Sequence, residues 1–191
     1  MEAIILSGLP ATGKTTVANI IAERLRIKVI GGTEILREMA KERGYSPESD
    51  DWWDTSEGMK FLKERAGNPD FDKETDRRLI KIAEKGNVVI TSYTLPWLTK
   101  AGFKVWLSAN TDNREHRMST RDNVSVKNAA GVIKMRDVKN NELYGSLYGI
   151  KLGEDLSPFD LVLDVNTITA EEAATLIIEK EKEKAKTLNK T

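Results

Sequence analysis

The chain has 191 residues, of which 39% are hydrophobic, so it is long enough for one domain with a substantial core. Thirty Lys and Arg residues balance thirty Asp and Glu residues, and this neutral balance argues against nucleic acid as a main partner. The absence of cysteine excludes a disulfide framework and thiolate metal sites, and a lone His116 does not make a zinc centre.

Short apolar runs alternate with helical patterns along the chain. The first run, Ala3 to Leu6, is typical of a strand buried on both faces of a parallel sheet. Apolar side chains between Val17 and Leu25 then form one stripe of an amphipathic helix. Further strand-like runs are Lys28–Ile30, Val88–Thr91, Lys104–Leu107 and Asp160–Leu163. This alternation predicts an α/β fold with three layers, α/β/α, around a five-stranded parallel sheet.

Two segments are longer than the single crossover helix that joins neighbouring parallel strands. We expect both to be helical insertions over the carboxyl ends of the strands, where open α/β sheets bind ligands. The predicted organisation is a single domain, 1–191, with a core of 1–32, 86–113 and 151–188 and insertions at 33–85 and 114–150.

Capping signals predict where several helices begin and end. Thr33 is a candidate N-cap for a helix that stops near Gly44, and Ser46-Pro47 offers another helix start. Gly86 is a candidate terminator for a helix that begins near Asp72. Thr169-Ala-Glu-Glu172 is a capping box that starts the last helix.

The segment from Gly8 to Thr15 matches the P-loop pattern G-x-x-x-x-G-K-[ST] in full, between a strand and a helix. Backbone N–H groups of such a loop surround a polyphosphate, and the positive end of the helix adds to the attraction. Lys14 supplies a charge for the β- and γ-phosphates, and the Thr15 hydroxyl completes the ligand shell of Mg²⁺. Thr16 is placed to reach the α-phosphate. The predicted ATP-binding residues of the loop are Gly8, Leu9, Pro10, Ala11, Thr12, Gly13, Lys14, Thr15 and Thr16.

Arginines are concentrated in the two insertions. They are Arg37, Arg77 and Arg78 in the first, and Arg114, Arg117, Arg121 and Arg136 in the second. Positions 114, 117 and 121 share one helix face. An acceptor phosphate is already anionic near neutral pH, so it needs positive charge rather than a general base. Arginines behind a P-loop therefore favour a kinase whose acceptor is itself a phosphate.

The third strand ends in Thr91-Ser92-Tyr93 and lacks a carboxylate there, which disfavours a hydrolytic P-loop ATPase. An Asn-Lys-x-Asp guanine signature is also missing from the sequence, which disfavours a GTPase. The segment containing Trp52 and Trp53 is interpreted as an aromatic plug that packs the first insertion on itself, rather than as a stacking platform for a base.

Several segments together resemble the archaeal-type cytidylate kinases of the nucleoside monophosphate kinase superfamily. Besides the P-loop, they are Glu34–Ala40, Asp72–Arg78, Gly86–Ile90, Val105–Leu107, Arg114–Asp122, Arg136-Asp137, Tyr144–Ile150 and Ser157–Leu163. The order and spacing of these pieces carry the resemblance, which covers most of the chain.

The resemblance implies transfer of the γ-phosphoryl group of ATP to CMP or dCMP, with Mg²⁺ and a closing lid formed by 114–150. It further implies that Lys14, Arg121 and Arg136 are catalytic and that Arg117 binds ATP beside adenine. The acceptor would be bound within 33–85 by Arg37, Asp76, Arg77 and Arg78. On this basis we expect a cytoplasmic enzyme with small-molecule partners, no nucleic acid and no membrane, acting as a monomer or a weak homo-oligomer.

The chain departs from the family where Tyr93 stands in place of a usual Arg after the third strand. The identity of the acceptor therefore stays open at this point. One alternative is a kinase for AMP or another small-molecule acceptor. Another is a nucleotide-binding module that does not phosphorylate an acceptor.

Overall fold

The structure, a computed structural model, describes residues 1–66 and 68–188. Its centre is a sheet of five strands. They are β1 (Ile4–Ser7), β2 (Lys28–Gly31), β3 (Val88–Thr91), β4 (Phe103–Ser108) and β5 (Leu161–Asp164). All neighbouring pairs are parallel and the strand order is β2-β3-β1-β4-β5. All five predicted strands and the predicted fold class are confirmed.

Helices cover both faces of this sheet and extend beyond its carboxyl edge. They are α1 (Lys14–Leu25), α2 (Gly32–Glu42), α3 (Ser56–Ala66), α4 (Asp70–Lys85), α5 (Leu95–Leu98), α6 (Thr111–Asp122), α7 (Val126–Tyr148) and α8 (Ala170–Leu188). A short 3₁₀ helix, Asp50–Asp54, precedes α3.

The side chains of the central strand, β1, point alternately into two hydrophobic cores, one on each face of the sheet. In β1, Ile4 and Leu6 belong to the core shared with α1 and α8, whereas Ile5 belongs to the core shared with α2 and α4. Successive side chains of a strand point to opposite faces, so a run that is apolar at every position must be covered on both sides. The protein is accordingly a three-layer α/β/α sandwich, and β1 is its most enclosed strand.

Two capping predictions were wrong. Helix α2 begins at Gly32, because the Glu34 carboxylate accepts a hydrogen bond from the Gly31 N–H at 2.8 Å, and Thr33 therefore lies inside the first turn. No helix begins at Ser46-Pro47, because the chain continues in an irregular path that brings Trp52 into the core.

Two other capping predictions are confirmed. Helix α4 ends at Gly86, which has a φ of 70°. Thr169 and Glu172 form the expected capping box, in which each backbone N–H donates to the other residue's side chain. Among residues 1–66 and 68–188, no helix combines the length and the hydrophobicity that crossing a membrane requires.

Candidate functional site

The loop between β1 and α1 turns through backbone conformations that favour glycine. Gly8 has a φ of 149°, and a Cβ atom there would lie 2.5 Å from the Leu107 carbonyl oxygen. Gly13, with a φ of 93°, precedes the first residue of α1. The Thr12 hydroxyl donates to the Leu9 carbonyl at 3.0 Å. Only glycine tolerates these positions without strain, and the backbone N–H groups at the start of α1 are thereby presented at the carboxyl edge of the sheet.

Lys14 is the first residue of α1, and its side chain folds back over the loop. Its Nζ donates to the carbonyls of Gly8 and Leu9, at 2.8 Å each. Burial lowers the pKa of the Lys14 ammonium to about 7, and the nearby charges of Arg136 and Arg114 act in the same direction. The charges of Arg136 and Arg114 make the site electropositive, and an anion that entered it would raise this pKa again.

A first cavity, called the loop cavity, lies between the P-loop, α6 and the start of α8. Its volume is about 870 Å³. Its lining residues are Ala11, Thr12, Gly13, Lys14, Thr15, Thr16, Val17, Tyr93, His116, Arg117, Thr120, Arg121, Arg136, Val165, Ile168, Thr169, Ala170 and Ala173. This cavity therefore brings most of the predicted ATP-binding residues together with the predicted catalytic arginines.

A second cavity, called the insertion cavity, lies between α2, α4 and α7. Its volume is about 450 Å³. Its lining residues are Lys14, Thr15, Gly32, Thr33, Leu36, Arg65, Asp72, Thr75, Asp76, Leu79, Thr91, Ser92, Tyr93, Thr94, Arg136, Asn140, Leu143 and Tyr144.

The two cavities meet at one wall. Lys14, Thr15, Tyr93 and Arg136 line both of them. Lys14 Nζ lies 4.8 Å from the centroid of the Tyr93 ring, and Arg136 Nη2 lies 3.5 Å from the Tyr93 hydroxyl. Two compartments with two cations on their common wall can bring two anions together.

The three arginines of α6 have different surroundings. Arg114 is buried, and its Nε donates to the Pro10 carbonyl at 2.7 Å, while its Nη2 pairs with Asp137 of α7 at 2.7 Å. Arg117 donates to the carbonyls of Thr12 and Val165. Arg114 thus fastens the P-loop to α6 and α7, and it lines neither cavity.

Arg121 lies further along α6, on the wall of the loop cavity. Its guanidinium contacts both carboxylate oxygens of Asp122, and more than half of its side chain is exposed. It is accessible to a molecule in the cavity, as its predicted role requires.

Asp76 of α4 is the buried polar centre of the insertion cavity. Its carboxylate accepts hydrogen bonds from the Thr94 hydroxyl at 2.8 Å and from the Tyr148 hydroxyl at 2.7 Å. Burial raises the pKa of Asp76, and these two hydrogen bonds oppose the rise. One carboxylate thereby joins α4, the segment after β3 and the end of α7.

The other predicted acceptor-binding residues do not line either cavity in this structure. Arg37 lies with its guanidinium carbon 5.9 Å from the Trp53 ring centroid. Arg77 pairs with Glu74 on the surface, and Arg78 forms a two-pronged ion pair with Glu42. Their roles toward an acceptor stay predictions.

Arg65 and Asp72, by contrast, line the insertion cavity and were not among the predicted site residues. Asp72 opens the Asp-x-Glu-x-Asp-Arg-Arg pattern, and its spacing of four residues from Asp76 places both on one face of α4. That spacing was an available signal. The sequence gives no comparable signal for Arg65, because the position of its side chain depends on how α3 packs.

The aromatic interpretation of the segment before α3 is confirmed. Trp52 is 3% exposed and makes edge contacts with Tyr45 and Trp53. Phe61 of α3 is fully buried against the same cluster. The aromatic side chains therefore pack the insertion on itself.

The Thr15 hydroxyl is the predicted protein ligand for Mg²⁺, and it is exposed on the wall shared by both cavities. No group of three or more acidic, histidine or cysteine side chains that could hold a metal occurs among the described residues. This arrangement fits Mg²⁺ that arrives with a polyphosphate and keeps several waters, since such an ion needs one or two protein ligands only.

Comparison with proteins of known structure supports the fold. A shikimate kinase from Acinetobacter baumannii superimposes with a TM-score of 0.57 at 17% identity, over 94% of this chain and 92% of that one.

Proteins found by comparison of sequences have a higher sequence identity to this chain than the kinase found by comparison of structures. The cytidylate kinase of Pyrococcus horikoshii is 37% identical over 85% of this chain and 79% of its own length. The cytidylate kinase of Pyrobaculum islandicum is 33% identical over 94% of this chain and 92% of its own length. The sequence model of the cytidylate kinase-like family matches residues 3–167. The chain therefore belongs to the cytidylate kinase-like family.

Proposed function

We propose that this protein transfers the γ-phosphoryl group of ATP to CMP, giving ADP and CDP. An oxygen of the CMP phosphate attacks the γ-phosphorus, and the bond from that phosphorus to the β–γ bridging oxygen breaks. The family membership supports this reaction class, and two relatives are named cytidylate kinase. The observation that carries the proposal is the wall of Lys14, Thr15, Tyr93 and Arg136 common to the two cavities.

ATP is assigned to the loop cavity. Backbone N–H groups of the P-loop would surround its phosphates, and the Thr16 side chain is exposed beside them. Arg117 is fixed by two backbone carbonyls at the edge of this cavity, which favours contact with the adenosine part over contact with the reacting phosphate. Thr15 would contribute one ligand to Mg²⁺, which withdraws charge from the phosphate oxygens when bound.

CMP is assigned to the insertion cavity, with its phosphate toward the common wall. Residues 33–85 then form the acceptor-binding insertion and residues 114–150 the lid. Asp76 lies within this cavity, while Arg37, Arg77 and Arg78 would reach the acceptor only after side-chain movement.

Catalysis in this arrangement is positioning and charge stabilisation. Lys14 and Arg136 sit on the wall where the γ-phosphate of one substrate meets the phosphate of the other. Arg121 lines the loop cavity from α6 and would act on the ATP side of that wall. Charge that spreads over the equatorial oxygens in the transition state is stabilised by these fixed cations, and the attacking phosphate oxygen needs no general base.

The proposal is tested with a panel of acceptors. ADP formation is followed with ATP, Mg²⁺ and one of CMP, dCMP, UMP or AMP, and the product is identified by mass spectrometry. CDP or dCDP is the expected product, and Lys14→Met is the matched inactive variant. Efficient phosphorylation of AMP but not CMP would favour the AMP kinase alternative. ATP binding without any diphosphate product would favour the nucleotide-binding module.

A further inference from the structure

The insertion cavity has two ends with different chemistry. The end shared with the loop cavity carries Lys14 and Arg136, and phosphoryl transfer requires the acceptor phosphate to lie there. This step rests on the proposed function. The nucleoside of the acceptor must then occupy the remainder of the cavity.

A series of contacts leads from the shared end to the other end. Lys14 Nζ lies 4.8 Å from the Tyr93 ring centroid, and the Tyr93 and Tyr144 centroids are 5.8 Å apart. Burial raises the pKa of Tyr144, and the nearby Arg65 charge acts against that rise. Arg65 and Tyr144 both line the insertion cavity and do not line the loop cavity, so they lie away from the wall that carries Lys14.

Arg65 forms an ion pair at this far end. Its Nη2 lies 2.6 Å from Asp72 Oδ1, and the side chains of Arg65 and Asp72 are 30% and 14% exposed. Both residues line the cavity. Within the described part of the chain, this is the one hydrogen bond that joins either side chain to another side chain. An arginine has five N–H donors and a carboxylate has about four acceptor sites, so both partners keep capacity for a ligand.

Helix α3 holds Arg65 in place through its neighbours on the same helix face. Phe61, one turn earlier, is fully buried in the aromatic cluster. Gly58, one further turn back, packs so closely that a Cβ atom there would lie 2.1 Å from the Trp52 carbonyl oxygen. Arg65 therefore lies on a face of the helix that is anchored by packing.

The remaining hydrogen-bonding capacity matches cytosine. Cytosine presents the N4 amine as a donor beside the acceptors N3 and O2, and carboxylates are suited to accept from that amine. Uracil presents an acceptor in place of the amine and a donor at N3. The pair of Asp72 and Arg65 offers acceptors and donors side by side, and the Tyr144 ring adds an aromatic surface on which a base can stack.

We infer that Arg65 and Asp72 read the base of the acceptor nucleotide: Asp72 accepts from the cytosine amine, Arg65 donates to the ring acceptors, and the pair selects cytosine over uracil. These residues act in specificity and take no part in the chemical step.

The test measures binding by isothermal titration calorimetry with CMP and with UMP, on the full chain. The variants are Arg65→Gln and Asp72→Asn, and the matched controls are Lys63→Gln on α3 and Asp70→Asn on α4, both of which are exposed. Each site variant should lower the ratio of CMP to UMP affinity by roughly 10- to 100-fold. ATP affinity should stay unchanged in all four variants, which also verifies that they are folded.

An unchanged CMP-to-UMP ratio in both site variants would overturn the inference, as would an equal change in the controls. Calorimetry measures nucleotide binding without phosphoryl transfer, so its result tests the base-reading assignment independently of the proposed reaction. A wild-type protein that prefers CMP in binding but makes no CDP overturns the proposed function alone. A wild-type protein that makes CDP but binds CMP and UMP equally overturns the base-reading assignment alone.

Discussion

We expect the Lys14 ammonium to make ATP affinity depend on pH. Its pKa is lowered to about 7 by burial, with Arg136 and Arg114 adding to the effect. The phosphates of a bound ATP favour the charged form and raise this pKa. Binding above pH 7 therefore requires Lys14 to take up a proton, so ATP affinity should fall as the pH rises.

The size of the effect follows from the lowered pKa. At pH 9, two units above it, about 1% of the free protein carries the charged ammonium. Restoring that charge costs about 2.7 kcal/mol at pH 9, whereas about half of the free protein is already charged at pH 7, so affinity should fall by up to about 50-fold between pH 7 and pH 9. At pH 8, binding should take up about 0.9 proton.

Calorimetry in buffers of different ionisation enthalpy measures this proton uptake directly. Phosphate oxygens titrate near pH 6, so ATP itself contributes little above pH 7.5. Lys14→Met removes the titrating group and should bind ATP more weakly, with an affinity that is flat over this pH range. Equal pH dependence in the wild type and in Lys14→Met would refute the reasoning.

Three further predictions concern the site and the packing behind it. Arg136→Gln should lower kcat by roughly 100-fold while ATP affinity changes little, and steady-state kinetics with an unchanged kcat would remove Arg136 from catalysis. Arg114→Met leaves the Pro10 carbonyl and the Asp137 carboxylate without their cation, so denaturant unfolding should show a loss of about 3 kcal/mol; an unchanged midpoint would contradict this. Gly58→Ala forces α3 away from the Trp52 carbonyl and should cost about 1–3 kcal/mol. It should also raise the KM for CMP but not for ATP, and equal effects on both would argue against α3 as part of the acceptor site.

Local patterns predicted the sheet and the P-loop well. A strand buried on both faces must be apolar at successive positions, so β1 was visible from residues 3–6 alone. The loop that follows requires glycine where φ is positive, as at Gly8 and Gly13. These features depend on neighbours in the sequence, which is why they were predictable.

Other features depend on contacts between distant segments. Arg114 shares a helix face with Arg117, but its guanidinium is buried under the Pro10 carbonyl because α6 packs directly on the P-loop. Arg65 enters the insertion cavity because Phe61 and Gly58 seat α3 on the aromatic cluster. No periodicity in the sequence encodes either arrangement.

The hydrogen bond from Tyr148 to Asp76 has a mechanical consequence. Helix α7 has 23 residues and is tied at its last residue to α4, while Arg114 ties the start of α6 to the P-loop and to Asp137 near the middle of α7. The part of α7 before Asp137 spans roughly 17 Å, so a tilt of about 10° there would move the turn near Asn123 by roughly 3 Å. We expect Arg121, which lies next to that turn, to move with it toward a nucleotide in the loop cavity.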